Sequence, residues 1–288
     1  MTLLRILLAV VLLALPGASA PSRIDARPAL WVVRDADTTI YLFGTIHVLP
    51  RGVAWFDGGV KAAFDASDAL VLELVLPEPE AMRRLVAEMG MRPWALDLPP
   101  ADRAKLARTL ADLALAPDAL DHMEPWLAAT TLSVRALERI GYGSGDGVEA
   151  ILHAAAVKAG KPVAGLETPR AQFALFDSLS DTAQRSLLVE TIDGLPKIGA
   201  TMARTTAAWR DGDAEALAAL VNADLAHSPE LARRLLTDRN AAWSDWVAAR
   251  MAEPGTVFVA VGAGHLAGGR SVQAMLARRG MTVQQVAD

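Results

Sequence analysis

Two histidines in this chain are approached in the same way. "IYLFGTIH" and "VFVAVGAGH" each run through an apolar, β-prone stretch to a glycine and reach a histidine three residues later, at His47 and His265. A strand that is apolar along its whole length is buried on both faces, and α/β sheets place ligands at the carboxyl ends of such strands. A glycine at that edge lets the chain turn at once, so the next side chains reach the crevice. Two imidazoles delivered there could share a metal ion or act in proton transfer. Glu73 adds to the pattern. It interrupts "ALVLELVL", where a charge is costly unless it is paired, protonated or bound to a cation. Glu167 stands similarly, just past the short apolar run in "PVAGLET". The chain has no cysteine, so thiolate ligands and nucleophiles are excluded. Two imidazoles with one or two carboxylates suit Zn, Mn, Co or Fe and argue against calcium alone.

The elements that must carry these residues can be read from periodicity and turn signals. Residues 30–34 and 38–43 flank an Asp-Ala-Asp turn and predict a β-hairpin. A short helix is expected over 57–67 and a strand over 69–76. A long Ala- and Leu-rich helical region follows, about 79–140, punctuated by prolines. Asp146 in "GYGSGDG" is expected to cap the next helix, which Gly160 ends, and "KPVAGLET" to supply a short buried strand. Residues 170–250 return to helix, and the chain closes strand, helix, strand over 256–262, 271–279 and 281–286. Strands cluster at both ends and helices fill the middle. This predicts an α/β fold: a central β-sheet of N- and C-terminal strands, flanked by helices, with a large helical middle region.

The opening "MTLLRILLAVVLLALPGASA" has the basic, apolar and A-x-A layout of a secretory signal cleaved after Ala20, which predicts a periplasmic or secreted protein. Residues 21–288 are then expected to form a single α/β domain, with a helical insertion at about 79–140 and further helices at about 170–250. No integral membrane segment is expected in the mature chain. The net charge is −5 and no basic tract is present, which argues against nucleic acid as a partner. No G-x-S-x-G elbow, H-E-x-x-H helix, Walker loop or dinucleotide fingerprint occurs. His153 follows Glu149 by four residues and reads as an ordinary surface pair, while His122 and His227 lie in polar, loop-like contexts.

Taken together, "LFGTIHVLP", "LVLEL", "GVEAILHAAAVKAGKPVAGLET", "DRNAAW" and "VFVAVGAGHLAGG" resemble the TraB/GumN family. Its relatives include the Tiki membrane proteases, and its wider superfamily the ChaN-like haem-binding proteins and erythromycin esterases. The resemblance implies a metal-dependent peptidase, with Mn, Co or Zn held by His47, His265 and Glu73. Glu73 would serve as the third ligand or as the base for water, with Glu167 as the other candidate carboxylate. It also draws Arg239 and Asn240 into the site. Arg239 would bind a substrate carboxylate or an oxyanion, and Asn240 would orient a histidine or carboxylate. The esterase relatives imply instead a metal-free hydrolase with His47 as base. The haem-binding relatives imply a non-catalytic haem- or peptide-binding protein. The expected partner is a peptide or small-molecule substrate.

Overall fold

The computed structural model describes residues 24–225 and 229–287. The expected signal segment and His227 lie outside the described residues. Contacts sort the chain into two compact units. Among the described residues one holds Leu76–Gly141 and Glu167–Thr201; the other holds those up to Val75 together with Tyr142–Leu166 and those from Met202 onward.

The first unit is helical. Pro79–Met89, Pro100–Asp112, Pro125–Arg139 and Pro169–Asp177 each open on a proline, whose missing N–H costs nothing in a first helical turn. Ser180 caps the helix Asp181–Gly194 by accepting the Ala183 N–H at 3.2 Å. That helix packs on Pro125–Arg139, where the buried Trp126 meets Phe173 and Phe176 at ring-centroid distances of 5.1 and 6.2 Å.

The second unit carries a mixed six-stranded sheet. Its strands are β1 (Leu30–Arg34), β2 (Thr38–Thr45), β3 (Ala69–Leu74), β4 (Val163–Glu167), β5 (Gly255–Gly262) and β6 (Val283–Gln285), in the order β6-β1-β2-β5-β3-β4. β1 and β2 form the expected hairpin, with the turn held by Asp35 Oδ1 accepting from the Asp37 and Thr38 N–H groups. β2 and β3 both run parallel to β5, so all three end on the same side of the sheet. On one face Ile40, Leu42, Val71, Val257, Val259 and Val261 pack under α2 (Asp238–Arg250) and α3 (Val272–Arg278). On the other, Phe43 and Phe258 meet Trp55, Phe64 and Trp209. Each fully buried side chain of this size stabilises the fold by about 1.5–3 kcal/mol. That gain is available only where apolar residues occupy both faces, which is why the central strands read as apolar runs interrupted only by Glu73 among charged residues.

Two local expectations are corrected. Asp146 does not cap the helix α1 (Val148–Lys158): Gly147 takes the cap position, and Asp146 lies in a 3-10 turn with Oδ2 at 3.7 Å from Arg51 Nε. β4 is an edge strand with exposed positions, not a buried one, because only β3 flanks it in the sheet. Gly160 ends α1 as expected, with φ +67°, a conformation that favours glycine. Among the described residues no helix is long and apolar enough to cross a membrane.

Candidate functional site

Parallel pairing of β2 with β5 sets Gly44 level with Val261 and Thr45 level with Gly262, so the two glycine-to-histidine segments emerge side by side, one residue out of step. The second then folds into a 3-10 turn, Ala263–Leu266, that passes directly over Gly44. A Cβ on Gly44 would lie 3.1 Å from both Cα and Cβ of Ala263. The first glycine is therefore required by the second motif, through close approach rather than through an unusual φ. Trp209 completes the corner by donating its indole N–H to the Gly44 carbonyl at 2.7 Å. Gly44→Ala is expected to destabilise the protein by about 1–3 kcal/mol, as overpacking does. Gly262→Ala, whose Cβ would find no atom closer than 3.4 Å, is expected to change stability by no more than about 0.5 kcal/mol. Urea unfolding of the pair tests this, and equal losses in both variants would refute the close-approach reading.

Each histidine is oriented through Nδ1. His47 Nδ1 donates to Glu149 Oε1 at 2.6 Å, and the Thr45 hydroxyl donates to the same oxygen. Glu149 sits in the first turn of α1, where the helix dipole favours a carboxylate. The turn reaches His47 because Leu49–Pro50 pairs antiparallel with Tyr142–Gly143, and the Val148 N–H donates to the Ile46 carbonyl at 3.1 Å. His265 Nδ1 donates to Asn240 Oδ1 at 2.6 Å. Asn240 is itself fixed, since its amide N–H donates to the Arg270 carbonyl at 2.8 Å, which leaves only its oxygen for the imidazole. The proton of His265 is thereby committed to Nδ1. Its Nε2 lone pair accepts from Arg239 NH1 at 3.1 Å.

Glu73 joins the two halves. Alternation along β3 puts it on the same face as Val71, beneath α2, and it is 7 % exposed. Its Oε1 accepts from Arg239 NH2, and its Oε2 accepts the Gly262 N–H at 3.1 Å. Arg239 and Asn240 come from the start of α2, whose buried stripe is Arg239, Asn240, Trp243, Ser244 and Val247. A π-helical turn, Arg233–Thr237, precedes it, and such turns recur at functional sites. The indole of Trp243 lies against both the Arg239 guanidinium, 4.7 Å from the ring centroid, and the His265 ring, at 4.4 Å between centroids. The site can be located by one point: a Cβ on Gly262 would lie 3.4 Å from Glu73 Oε2, 3.5 Å from His265 Cδ2 and 4.0 Å from His47 Nε2.

Burial and charge drive the two imidazoles apart. Burial alone would lower the pKa of His47, but the charge and hydrogen bond of Glu149, with Glu73 behind them, raise it to about 9. His265 is lowered to about 3, by burial first and then by Arg239. Burial works to raise both carboxylates and is outweighed, at Glu73 by Arg239 followed by the histidines, and at Glu149 by His47 and Thr45; both stay ionised well below the ordinary range.

Of the residues singled out from sequence, His47, Glu73, Arg239, Asn240 and His265 are thus brought together. Glu167 stands half-buried at the carboxyl end of β4, and the carboxylate bonded to His47 is Glu149. The reading of Glu149 and His153 as a surface pair is corrected: Glu149 turns inward to His47. The donor types fit a divalent transition ion, because two imidazoles anchored through Nδ1 and a carboxylate are the usual ligands of such ions and of their supporting shell. Among the described residues, however, no group of three or more His, Asp or Glu side chains is placed to hold a metal ion. Arg239 holds one oxygen of Glu73 and the Nε2 of His265.

Comparison with known proteins gives a family match. The model of the TraB/PrgY/gumN family matches residues 29–285. No curated protein and no solved structure matches the chain.

Proposed function

The chain belongs to the TraB/PrgY/gumN family, and from that premise we propose that it is an exported metal-dependent hydrolase acting on peptide bonds, with His47, Glu73 and His265 as the metal ligands. One observation carries the reading: both imidazoles are tied down through Nδ1, to Glu149 and to Asn240, which reserves both Nε2 atoms for the side where Glu73 lies. A divalent ion bound there supplies a Lewis acid that polarises the scissile carbonyl and lowers the pKa of water toward neutrality. The protein's own groups do the rest. Glu149 fixes the His47 ring and its tautomer, and Asn240 does the same for His265. Glu73 would serve either as the third ligand or as the base that accepts the proton lost by the attacking water. Arg239 offers a rigid fork of N–H donors beside Glu73, suited to the charge that develops on the carbonyl oxygen or to a substrate carboxylate. Burial of Arg239 and His265, 7 % and 4 % exposed, strengthens these interactions by excluding water.

A metal-free variant of the same hydrolysis is favoured by a different observation, the occupation of Glu73 Oε1 and His265 Nε2 by Arg239. In that version His47 Nε2 takes the proton from water only once it has itself been deprotonated, so hydrolysis is expected to rise with pH toward about 9, with Glu149 stabilising the imidazolium that forms. Metal analysis of wild type, His47→Ala and His265→Ala separates the two. The metal reading expects Mn, Co or Zn to co-purify or titrate into wild type alone. It also expects peptide hydrolysis to stop on chelation and return with Mn. Equal metal contents in the three proteins would end the shared-ion proposal. Hydrolysis that survives chelation but disappears in His47→Ala would establish the metal-free version.

A further inference from the structure

We infer that Arg239 is a built-in competitor for the cation of this site, so that the guanidinium and a divalent ion occupy Glu73 and His265 in turn and never together. This rests on the proposal that His47, Glu73 and His265 hold an ion, and it goes beyond it by assigning a second, protein-borne occupant.

At His265 the exclusion follows from lone pairs, and at Glu73 from charge. The His265 proton is committed to Nδ1 because Asn240, locked by its bond to the Arg270 carbonyl, presents only an acceptor there. Nε2 then has a single lone pair, and Arg239 NH1 uses it at 3.1 Å. That pair can face a guanidinium hydrogen or a metal ion, but not both. Glu73 Oε1 is engaged by the same guanidinium, while Oε2 is shared with the Gly262 N–H. A divalent ion drawn in beside an unmoved guanidinium would also meet its positive charge in a water-poor site.

Arg239 has somewhere to remain when displaced. Its NH1 donates to the Leu235 carbonyl at 3.2 Å, within the π-helical turn, and its guanidinium carbon lies 4.7 Å from the centroid of Trp243. Neither contact involves Glu73 or His265. A small rotation of the guanidinium about these two supports would release the ligands while keeping the side chain in place. The competing cation is a divalent transition ion, since imidazole donors do not suit calcium or magnesium.

The test measures Mn and Zn binding by isothermal titration and by metal-induced shift in melting temperature, independently of activity. Arg239→Met removes the competitor at similar volume, and Arg239→Lys keeps one charge but cannot bridge both partners. The expected order of affinity is Met, then Lys, then wild type, with Arg239→Met at least tenfold tighter than wild type. The metal-induced rise in melting temperature should follow the same order. His265→Ala placed in the Arg239→Met background should abolish the gain. Affinities within about twofold across the three proteins, or a fall in both variants, would overturn the inference while leaving the metal reading intact, provided binding is lost in His47→Ala. If wild type binds no ion through His47 but Arg239→Met does, the competition is demonstrated in its extreme form. If neither does, both the metal reading and this inference fail. Should Arg239→Met fold only with metal present, refolding in Mn supplies the protein and Arg239→Lys decides the ranking.

Discussion

Arg239→Ala is expected to destabilise the metal-free protein by about 3–5 kcal/mol, the range seen when one partner of a buried ion pair is removed. The cause is not the lost bond alone. Glu73 is 7 % exposed on an interior strand, and Arg239 is the leading reason its carboxyl stays ionised against the effect of burial. Without the guanidinium the carboxylate must be protonated or left uncompensated, and the Nε2 of His265 loses its donor. Glu73→Gln alone should cost less, because the amide keeps the volume and can still accept from Arg239. The double variant should therefore be more stable than the sum of the two single losses predicts, with a coupling of about 1–3 kcal/mol. Urea unfolding of all four proteins gives the cycle. A coupling near zero would show that Glu73 and Arg239 do not depend on each other.

The two imidazoles predict a stability maximum near pH 6.5 in the metal-free protein, with one histidine responsible for each limb. The pKa of His47 is raised from 6.5 to about 9. The folded state therefore holds a proton that the unfolded state has released, and the stabilisation is complete below pH 6.5 and lost as pH rises through 9. At about 1.4 kcal/mol per pH unit this window bounds the loss at about 3 kcal/mol. His265 works in the opposite sense. Its pKa is lowered from 6.5 to about 3, so the unfolded state binds the proton first and stability falls as pH drops below 6.5. The carboxylates Glu73 and Glu149, both held below their ordinary range, add to the acid limb under pH 4.5. Glu149→Gln should flatten the alkaline limb and leave the acid limb of His265 in place. Asn240→Asp, which sets a carboxylate against His265 Nδ1 and so raises its folded pKa toward 6.5, should make the acid limb of His265 shallower. Melting temperatures between pH 4 and pH 10 read both limbs. An alkaline limb unchanged in Glu149→Gln would show that His47 is not its source.

The fold class was legible because apolar patterning is a local record of burial. The runs of β2, β3 and β5 are predominantly apolar, with Glu73 the one charge, because each strand is covered on both faces, and the Asp-Ala-Asp turn carries its own hydrogen-bonding oxygen. Glu73 was legible for the same reason, as the one charge in a segment otherwise written for the interior. Failures came where a local signal met a tertiary competitor. Asp146 has the right chemistry for a helix cap, yet its carboxylate lies toward Arg51 and Gly147 takes the cap position. The short strand of "PVAGLE" lies at the sheet edge, with a neighbour on one side only.

The sequence by itself determined the two strand-glycine-histidine endings, the absence of thiol chemistry and a buried carboxylate between them, because each of these is a property of residue type and near-neighbour spacing. Only the tertiary structure decided what those groups do to one another. Thr45 and Glu149 are 104 residues apart, and nothing local marks Glu149 as the partner of His47; its own helix suggests His153 instead. Pairing of Leu49–Pro50 with Tyr142–Gly143 brings them together. The register of β2 on β5 likewise turns Gly44 from a hinge into a gap that Ala263 fills. The opposite protonation of two histidines with the same sequence setting is the clearest case. An imidazole's pKa depends on which charges lie within a few ångströms in a water-poor site, and those distances are fixed only when Glu149 closes on one ring and Arg239 on the other.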